Sequence, residues 1–121
     1  MAQYRLSAAA QNDIIEILGW THAQFGKNAR LRYERLIVAA LRDLAAQPER
    51  VGSIKRPELG ADVRSWHLRL SRERARTDLG IVRQPRHLLI YRVQDDFIVI
   101  GRILHDAMEL ERHLRSETRW E

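Results

Sequence analysis

Residues 87–104 read HLLIYRVQDDFIVIGRIL, which is two apolar runs on either side of Asp95-Asp96. Runs this rich in isoleucine, leucine and valine favour strands, and adjacent acidic residues between them favour a turn. The sequence therefore predicts a β-hairpin with strands at His87 to Val93 and Phe97 to Leu104. His105-Asp106 is expected to end the second strand.

A third strand is predicted upstream of this hairpin, at residues 64–70. One set of alternate positions there holds Arg64, Trp66, Leu68 and Leu70, and the other holds Ser65, His67 and Arg69. Such a period of two is typical of a strand with two different faces. The stretches on either side, residues 49–63 and 71–84, are predicted to be loops, the second with one helical turn.

Two helices are predicted in the first half of the chain, after a short strand at Tyr4 to Leu6. Ser7 is placed to cap the first helix, and Phe25-Gly26 breaks it. The first helix repeats apolar or small residues every three or four positions: Ala10, Ile14, Ile17 and Thr21. The second helix repeats them for over four turns before Pro48: Ala29, Tyr33, Leu36, Ile37, Ala40, Leu41 and Leu44.

The order of these elements predicts an α+β fold in one domain, residues 1–121. A small, mostly antiparallel sheet is expected to pack one face against the helical hairpin. Asp106 is placed to cap a short C-terminal helix that includes Met108, Glu111 and Leu114. We expect the second face of so small a sheet to stay open for binding.

Composition excludes several classes of protein. The 121 residues include no cysteine, so disulfide and thiol chemistry are absent. Apolar runs are far shorter than the roughly 18 residues that a membrane span needs, and the N-terminus lacks the apolar core of a signal peptide. The expectation is a cytoplasmic protein that does not bind membranes.

Positive charge is concentrated in the middle of the chain. The net charge is +5, and 19 of the 21 basic residues are arginine. Residues 64–92 alone carry +6, whereas residues 93–121 carry −3. Because arginine pairs bidentately with carboxylate and phosphate, this segment predicts an acidic partner, either nucleic acid or an acidic protein segment. The alternative is a solvated, arginine-rich surface without a partner.

No metal or cofactor site is predicted. The five histidines lack the paired spacing of metal ligands, and the chain has neither a glycine-rich phosphate loop nor a G-x-S-x-G motif.

Cations on the predicted strands form the candidate site, and three interpretations of them stay open. They could dock a partner's carboxylates, or they could stabilise a phosphorane during RNA cleavage with a histidine as acid or base. In the third interpretation, Arg102 and Arg92 pair with Asp and Glu side chains at the margin of the sheet. Docking is the leading hypothesis, with Trp66 as a buried anchor and the charges at the rim. The predicted partner-binding residues are Arg64, Trp66, Arg69, Arg72, Arg74, Arg76, Arg92, Arg102 and His105, and no catalytic residue is assigned.

At these positions the chain resembles the ParE toxins of the RelE/ParE type II toxin–antitoxin superfamily. The resemblance runs in the same order along nearly the whole chain. Its segments are Tyr4-Arg5-Leu6-Ser7, Ala10, Asp13-Ile14, Ile17, Trp20-Thr21, Phe25-Gly26, Ala29, Tyr33, Leu44, Pro48, residues 87–93 and Arg102-Ile103-Leu104-His105-Asp106-Ala107-Met108. Residues 71–84 form a longer stretch than many relatives have before the penultimate strand.

The resemblance implies a small bacterial toxin held inactive in a hetero-oligomer by a cognate antitoxin, ParD-like or related, with a flexible C-terminal tail. ParE-like members poison DNA gyrase, whereas RelE-like members cleave messenger RNA on the ribosome. RelE-type enzymes carry a tyrosine or a histidine–tyrosine pair near the C-terminus, and residues 107–121 contain no tyrosine. The sequence therefore predicts a non-enzymatic gyrase inhibitor.

Two other classes of function remain as alternatives. The runner-up is a RelE-type mRNA endonuclease that uses Arg64, Arg92 and His105. A non-toxic binding module is the third class, and the intact two-helix signature argues against it.

Overall fold

A computed structural model describes residues 3–107 and Trp120. Two helices precede most of a five-stranded sheet. The strands are β1 (Gln3–Leu6), β2 (Ile54–Lys55), β3 (Val63–His67), β4 (His87–Gln94) and β5 (Phe97–His105); the helices are α1 (Ala8–Phe25) and α2 (Lys27–Ala46); short 3-10 helices lie at Pro57–Leu59, Leu68–Ser71 and Glu73–Ala75.

The strand order is β1-β5-β4-β3-β2. β1 runs parallel to β5, and the other three neighbouring pairs are antiparallel. This confirms the α+β fold with a mostly antiparallel sheet and a helical hairpin. The predicted C-terminal helix at Met108 to Leu114 lies outside the described residues. Among the described helices, none is both long and apolar enough to cross a bilayer.

The main core lies between α2 and one face of the sheet. α2 contributes a continuous apolar stripe, as its sequence period predicts, and β4 and β5 supply alternate residues against it. Gly26, with φ of +93°, makes the sharp turn that lets α2 fold back along α1. The buried members of this core are Ala10, Tyr33, Leu36, Ile37, Ala40, Leu41, Leu44, Trp66, Leu68, Leu89, Tyr91, Ile98, Ile100 and Ile103.

The second face of the sheet is covered, so the expectation of an open face is wrong. Val63, Leu88, Ile90 and Leu104 form a second buried cluster there, with Leu59 and Trp120 packed against it. The physical reason is that β4 and β5 are apolar at both sets of alternate positions. Apolar side chains on both faces each need cover from water.

Trp120 is held against this second face by contacts from three strands. Its carbonyl oxygen accepts a hydrogen bond from the Arg5 guanidinium at 2.9 Å, and the Arg92 guanidinium lies 5.0 Å from its ring centroid. Its indole also lies against Gly101, where an added Cβ would come within 2.5 Å of the ring. Gly101 is the extra residue where the β4–β5 register shifts, so the ring packs on bare backbone at a bulge.

The predicted third strand ends earlier than expected, at His67 and not at Leu70. The His67 Nδ1 atom accepts a hydrogen bond from the Arg69 backbone N–H at 3.1 Å and so starts the 3-10 helix Leu68–Ser71. Leu68 turns into the main core. The predicted loop at residues 49–63 also contains regular structure, namely β2 and one 3-10 helix.

A buried carboxylate joins α1 to the edge of β5. β1 ends at Leu6, opposite Ile100, so the outer N–H groups of β5 beyond that point have no strand beside them. Asp13 replaces the missing strand: its Oδ2 accepts hydrogen bonds from the Ile103 backbone N–H at 2.9 Å and from Arg102 Nε at 2.8 Å. The second Arg102 bond, at 3.1 Å, makes this pair bidentate.

We expect Asp13→Ala to destabilise the fold by about 2–4 kcal/mol, because it leaves a buried N–H and a guanidinium without their acceptor. Urea unfolding measures the change. Asn12→Ala, one residue away on the exposed side of α1, is the matched control and should change stability by less than about 0.5 kcal/mol. Equal effects of the two substitutions would show that the carboxylate does not hold α1 to β5.

Candidate functional site

A groove of about 1040 Å³ opens where the helical hairpin turns and β4 begins. Two parts of the chain far apart in the sequence line it: the turn of the helical hairpin, from the end of α1 to the first two turns of α2, and residues 76–87. Aromatic and aliphatic side chains dominate its surface. The described lining residues are Trp20, Thr21, Phe25, Ala29, Arg32, Tyr33, Arg76, Leu79, Gly80, Ile81, Val82, Arg83, Gln84, Arg86 and His87.

Two large aromatic side chains stand exposed on the helical side of this groove. Trp20 is 59% exposed and Phe25 is 68% exposed. Their rings meet edge to face, with centroids 5.7 Å apart. An exposed aromatic pair on a concave surface is typical of a binding site, because water leaves such a surface readily.

Arginine forms the rim of the groove, and none of its described lining residues is acidic. Arg32 donates to the Leu79 carbonyl oxygen at 3.3 Å, and no described carboxylate lies within 4 Å of Arg32 or Arg83. Arg76 pairs with Glu73, and Arg86 pairs with Asp106. The groove therefore combines an apolar floor with a positive edge.

The long segment between β3 and β4 builds one wall of the groove. Thr77 and Gly80 exchange backbone hydrogen bonds across a tight turn, and Gly80 has φ of +94°. The Arg72 guanidinium donates to the Arg83 carbonyl oxygen at 2.7 Å, and Arg32 binds the Leu79 carbonyl as described above. Arginine side chains thus stabilise this wall by hydrogen bonds to its backbone carbonyl groups, in addition to providing its charge.

A tyrosine–histidine pair closes the inner end of the groove. The Tyr33 hydroxyl lies 2.6 Å from His87 Nδ1 and accepts the Arg86 backbone N–H at 3.3 Å. Burial raises the pKa of Tyr33 to about 12 and lowers the pKa of His87 to about 4. His87 is therefore neutral at pH 7, and the arrangement favours a tyrosine proton directed at Nδ1.

His87 is one of three histidines gathered at the ends of β3, β4 and β5. His87 and His105 are directly opposite on neighbouring strands, with ring centroids 5.4 Å apart. Asp106 Oδ2 lies 2.9 Å from His67 Nε2, and the same carboxylate accepts Arg86 at 3.0 Å. The hydrogen bond from Arg86, followed by that from His67, lowers the pKa of Asp106 to about 2. Asp106 thereby fixes the arginine at the groove rim.

We expect the stability of the protein to fall as the pH drops from about 6.5 to about 4. His87 takes up its proton near pH 6.5 when unfolded but only near pH 4 when folded, so the unfolded state binds more protons within this range. Urea unfolding at pH 7, 5.5 and 4.5 measures the loss. His87→Gln removes this titration and should flatten the dependence; an unchanged pH profile in that variant would assign the loss to other groups.

The predicted arginine cluster at residues 72–76 is engaged within the fold. Arg74 Nε lies 2.8 Å from each carboxylate oxygen of Asp43, and Arg76 binds both oxygens of Glu73. Arg72 bonds the Arg83 carbonyl. Part of the +6 segment therefore stabilises the fold through contacts within the chain.

The other predicted site residues are spread over the molecule. Trp66 is only 2% exposed, and its indole N–H donates to Ser71 Oγ at 2.9 Å, so it is a core residue and not a surface anchor. Arg102 is bound to Asp13. The Arg69 side chain is exposed, and His105 is partly exposed beside His87.

Arg64 and Arg92 lie on opposite faces of the sheet. Arg64 is directly opposite Tyr91, which belongs to the main core, whereas Arg92 is opposite Val63 on the second face. His105 lies opposite His87, four residues from Tyr91 and thus about 13 Å along β4. The structure does not bring Arg64, Arg92 and His105 together.

Sequence reasoning missed most of the groove. Among its lining residues, only Arg76 was a predicted site residue. The available signal was Trp20 and Phe25, two large aromatic residues at the end of a helix whose apolar stripe does not require them. The opposite wall comes from residues some 55 positions later, and sequence periodicity does not show that approach.

The sequence matches the family described as the ParE toxin of the type II toxin–antitoxin system, parDE, over residues 4–110. The match covers all the described strands and both long helices, so the chain belongs to this family of toxins. A search of curated proteins found no matching relative. Membership of the family implies an antitoxin as partner.

Proposed function

We propose that this toxin inhibits DNA gyrase in the cytoplasm and is neutralised by a flexible antitoxin segment that fills the groove. The observation that carries the antitoxin proposal is the groove itself, with exposed Trp20 and Phe25 on one side and arginines along its edge. A segment with apolar anchors and acidic flanks would complement both features. Such a segment would be ParD-like in behaviour, ordering as it binds.

Gyrase inhibition is favoured over mRNA cleavage by the placement of the candidate catalytic residues. Cleavage of RNA by general acid–base catalysis needs the acid, the base and the cations within reach of one phosphate. Arg64 and Arg92 are separated by the sheet, and His105 is at its far end. This supports a toxin that acts by binding and not as an enzyme.

We expect Trp20→Ala to weaken the complex with the antitoxin encoded beside the toxin by more than tenfold, because a large aromatic ring in a concave site is a typical hot spot. The folded state should be little affected, since the side chain is mostly exposed. Titration calorimetry with the purified antitoxin measures the affinity.

Ile15→Ala is the matched control for this variant. Ile15 lies on the same helix and is 68% exposed, but it does not line the groove. Its substitution should leave antitoxin affinity within about twofold of the wild type. If Trp20→Ala and Ile15→Ala bound the antitoxin equally well, the groove would not be the antitoxin site.

The target is tested with purified DNA gyrase and relaxed plasmid, beside a translation reaction programmed with a defined mRNA. We expect the toxin to reduce supercoiling at low molar excess over gyrase and to leave the mRNA intact. Cleavage of the mRNA within ribosome-bound codons, together with normal supercoiling, would reverse the assignment in favour of the RelE-type endonuclease.

A further inference from the structure

A loop at the opposite end of α2 from the groove carries exposed apolar side chains. We call residues 50–55 the tip loop. Within it Val51 is 99% exposed and Ile54 is 51% exposed. Single exposed aliphatic residues are common on protein surfaces and need no explanation by themselves. In this loop, however, two sets of contacts hold the backbone in place while the apolar side chains face water.

Close packing fixes the base of the tip loop. Gly52 has φ of +102° and lies on the Trp66 ring, where an added Cβ would come within 2.9 Å of Leu70 Cδ1. The Arg50 guanidinium lies over that ring, 5.6 Å from its centroid, and donates to the Asp43 carbonyl oxygen at 2.9 Å. The loop is thereby fixed to the C-terminal end of α2.

A second set of contacts holds the loop through Ser53. Its hydroxyl lies 2.5 Å from the Tyr91 hydroxyl and accepts the Arg64 Nε–H at 2.7 Å. The Tyr91 hydroxyl also donates to the Pro48 carbonyl oxygen at 2.5 Å. Burial raises the pKa of Tyr91, so it remains a neutral donor. These contacts connect the tip loop to β3, to β4 and to Pro48 just beyond α2.

Two cations face each other beside the tip. Lys55 of β2 and Arg64 of β3 are directly opposite in the sheet register. Within residues 3–107 no carboxylate lies within 4 Å of either one, whereas nearby Arg50 and Arg56 have acidic partners in Asp43 and Glu58. Like charges directly opposite on neighbouring strands destabilise a sheet. A bound carboxylate would remove this repulsion.

The tip loop and the groove are well separated. The groove uses Tyr33 near the start of α2, and the tip loop is fixed just beyond Ala46 at its end. Thirteen residues of helix separate them, which is about 20 Å along the axis. A ligand in the groove therefore leaves the tip loop uncovered unless it extends along the helix.

We propose that the tip loop is the surface by which the toxin contacts its protein target, with Val51 entering an apolar pocket that is flanked by a carboxylate bound between Lys55 and Arg64. This inference rests on the proposed action on a protein target. The charge pattern indicates the acidic flank, and the exposed valine indicates the pocket. The fixed loop reduces the conformational entropy lost on binding.

Nucleic acid fits this surface less well than protein does. Tight nucleic-acid binding requires many phosphate contacts, and single strands also need exposed aromatic rings for base stacking. The tip loop has no aromatic residue, and two of the cations around it already have carboxylate partners. Lys55 and Arg64, which form no ion pair with a described carboxylate, lie beside two aliphatic side chains and so match a carboxylate next to an apolar pocket.

The experiment compares Lys55→Glu with Lys27→Glu, because these are the only two lysines and both substitutions change the net charge equally. A glutamate at position 55 should be tolerated opposite Arg64, and Lys27 is the first residue of α2, where a negative charge is favourable. Val51→Asp and Ile15→Asp form a second matched pair of exposed aliphatic positions. Each variant is assayed for inhibition of purified gyrase, for growth arrest on induction, for antitoxin affinity and for plasmid DNA binding.

We expect Lys55→Glu and Val51→Asp to need at least tenfold more toxin for half-inhibition of supercoiling and to relieve growth arrest. Both controls should stay within about twofold of the wild type, and all four variants should bind the antitoxin normally. Wild-type inhibition by the tip variants would overturn the tip inference while leaving gyrase as the target.

The remaining outcomes separate the two proposals. If the wild type arrests growth without inhibiting gyrase, and the tip variants alone relieve the arrest, the tip inference stands and gyrase is the wrong target. Loss of antitoxin affinity in the tip variants, together with inhibition of gyrase equal to that of the wild type, would make the tip loop an antitoxin surface only and overturn the inference. Plasmid binding by the wild type that the tip variants lose would overturn it in favour of nucleic acid.

Discussion

The Asp13 carboxylate occupies a place that a strand would otherwise fill, and the position of the helical hairpin depends on it. β1 ends at Leu6, and the chain turns directly into α1. Ser7 makes that turn possible, because its hydroxyl accepts the Ala10 N–H at the helix start and donates to the Gly101 carbonyl oxygen of β5. Six residues later Asp13 satisfies the next open edge of β5. Two side chains thus set the direction of α1 along the sheet edge.

The direction of α1 in turn determines where the groove forms. Because α1 runs from the β1–β5 edge, its last two turns carry Trp20 and Phe25 beyond the packed core. Gly26 reverses the chain, and α2 returns across the sheet with Tyr33 directed at His87. The groove is the space left between the end of this hairpin and the long β3–β4 connection. Its exposed aromatic residues are therefore a consequence of how α1 is attached at its other end.

A second buried carboxylate, Asp43, organises the opposite end of α2. It accepts hydrogen bonds from Ser71 and Arg74, and Ser71 in turn accepts the Trp66 indole N–H. Asp43 also lies 3.6 Å from Arg50. Burial of a carboxylate is costly unless it is paired and hydrogen-bonded, and here every partner is supplied by the arginine-rich segment or the tip loop. Some of the arginines that the sequence predicts to bind a partner, such as Arg74, are therefore paired within the fold.

Local patterns predicted the helices and the β4–β5 hairpin because those elements are specified by contiguous residues. The period of α2 and the paired apolar runs around Asp95-Asp96 are complete within each segment. The covered second face was missed because an open face was inferred from the small size of the sheet, whereas residues 88–91 are all buried and so place apolar side chains on both faces.

The site was harder to predict because its parts come together only in the folded chain. Tryptophan is a residue type typical of interface anchors, yet Trp66 is covered by Gly52 and Arg50 from a loop some fifteen residues earlier. Arg74 has the charge of a docking residue, yet Asp43 lies beside it from a helix about thirty residues earlier. Counting charge along the chain does not show which carboxylate folds back onto which arginine.

The separation of the groove from the tip loop constrains how an antitoxin could neutralise this toxin. About 20 Å of α2 lies between them, which an extended chain spans in about six or seven residues. An antitoxin segment that ended in the groove would leave the tip loop uncovered. It could then exclude the protein target only sterically, through its own volume or that of the antitoxin's folded domain. A segment that continued along α2 would cover the tip loop directly and meet Lys55 and Arg64 with its acidic residues. Neutralisation by direct cover therefore requires an acidic stretch about seven residues beyond the apolar anchors, and truncating the antitoxin between the two would retain binding while releasing toxicity.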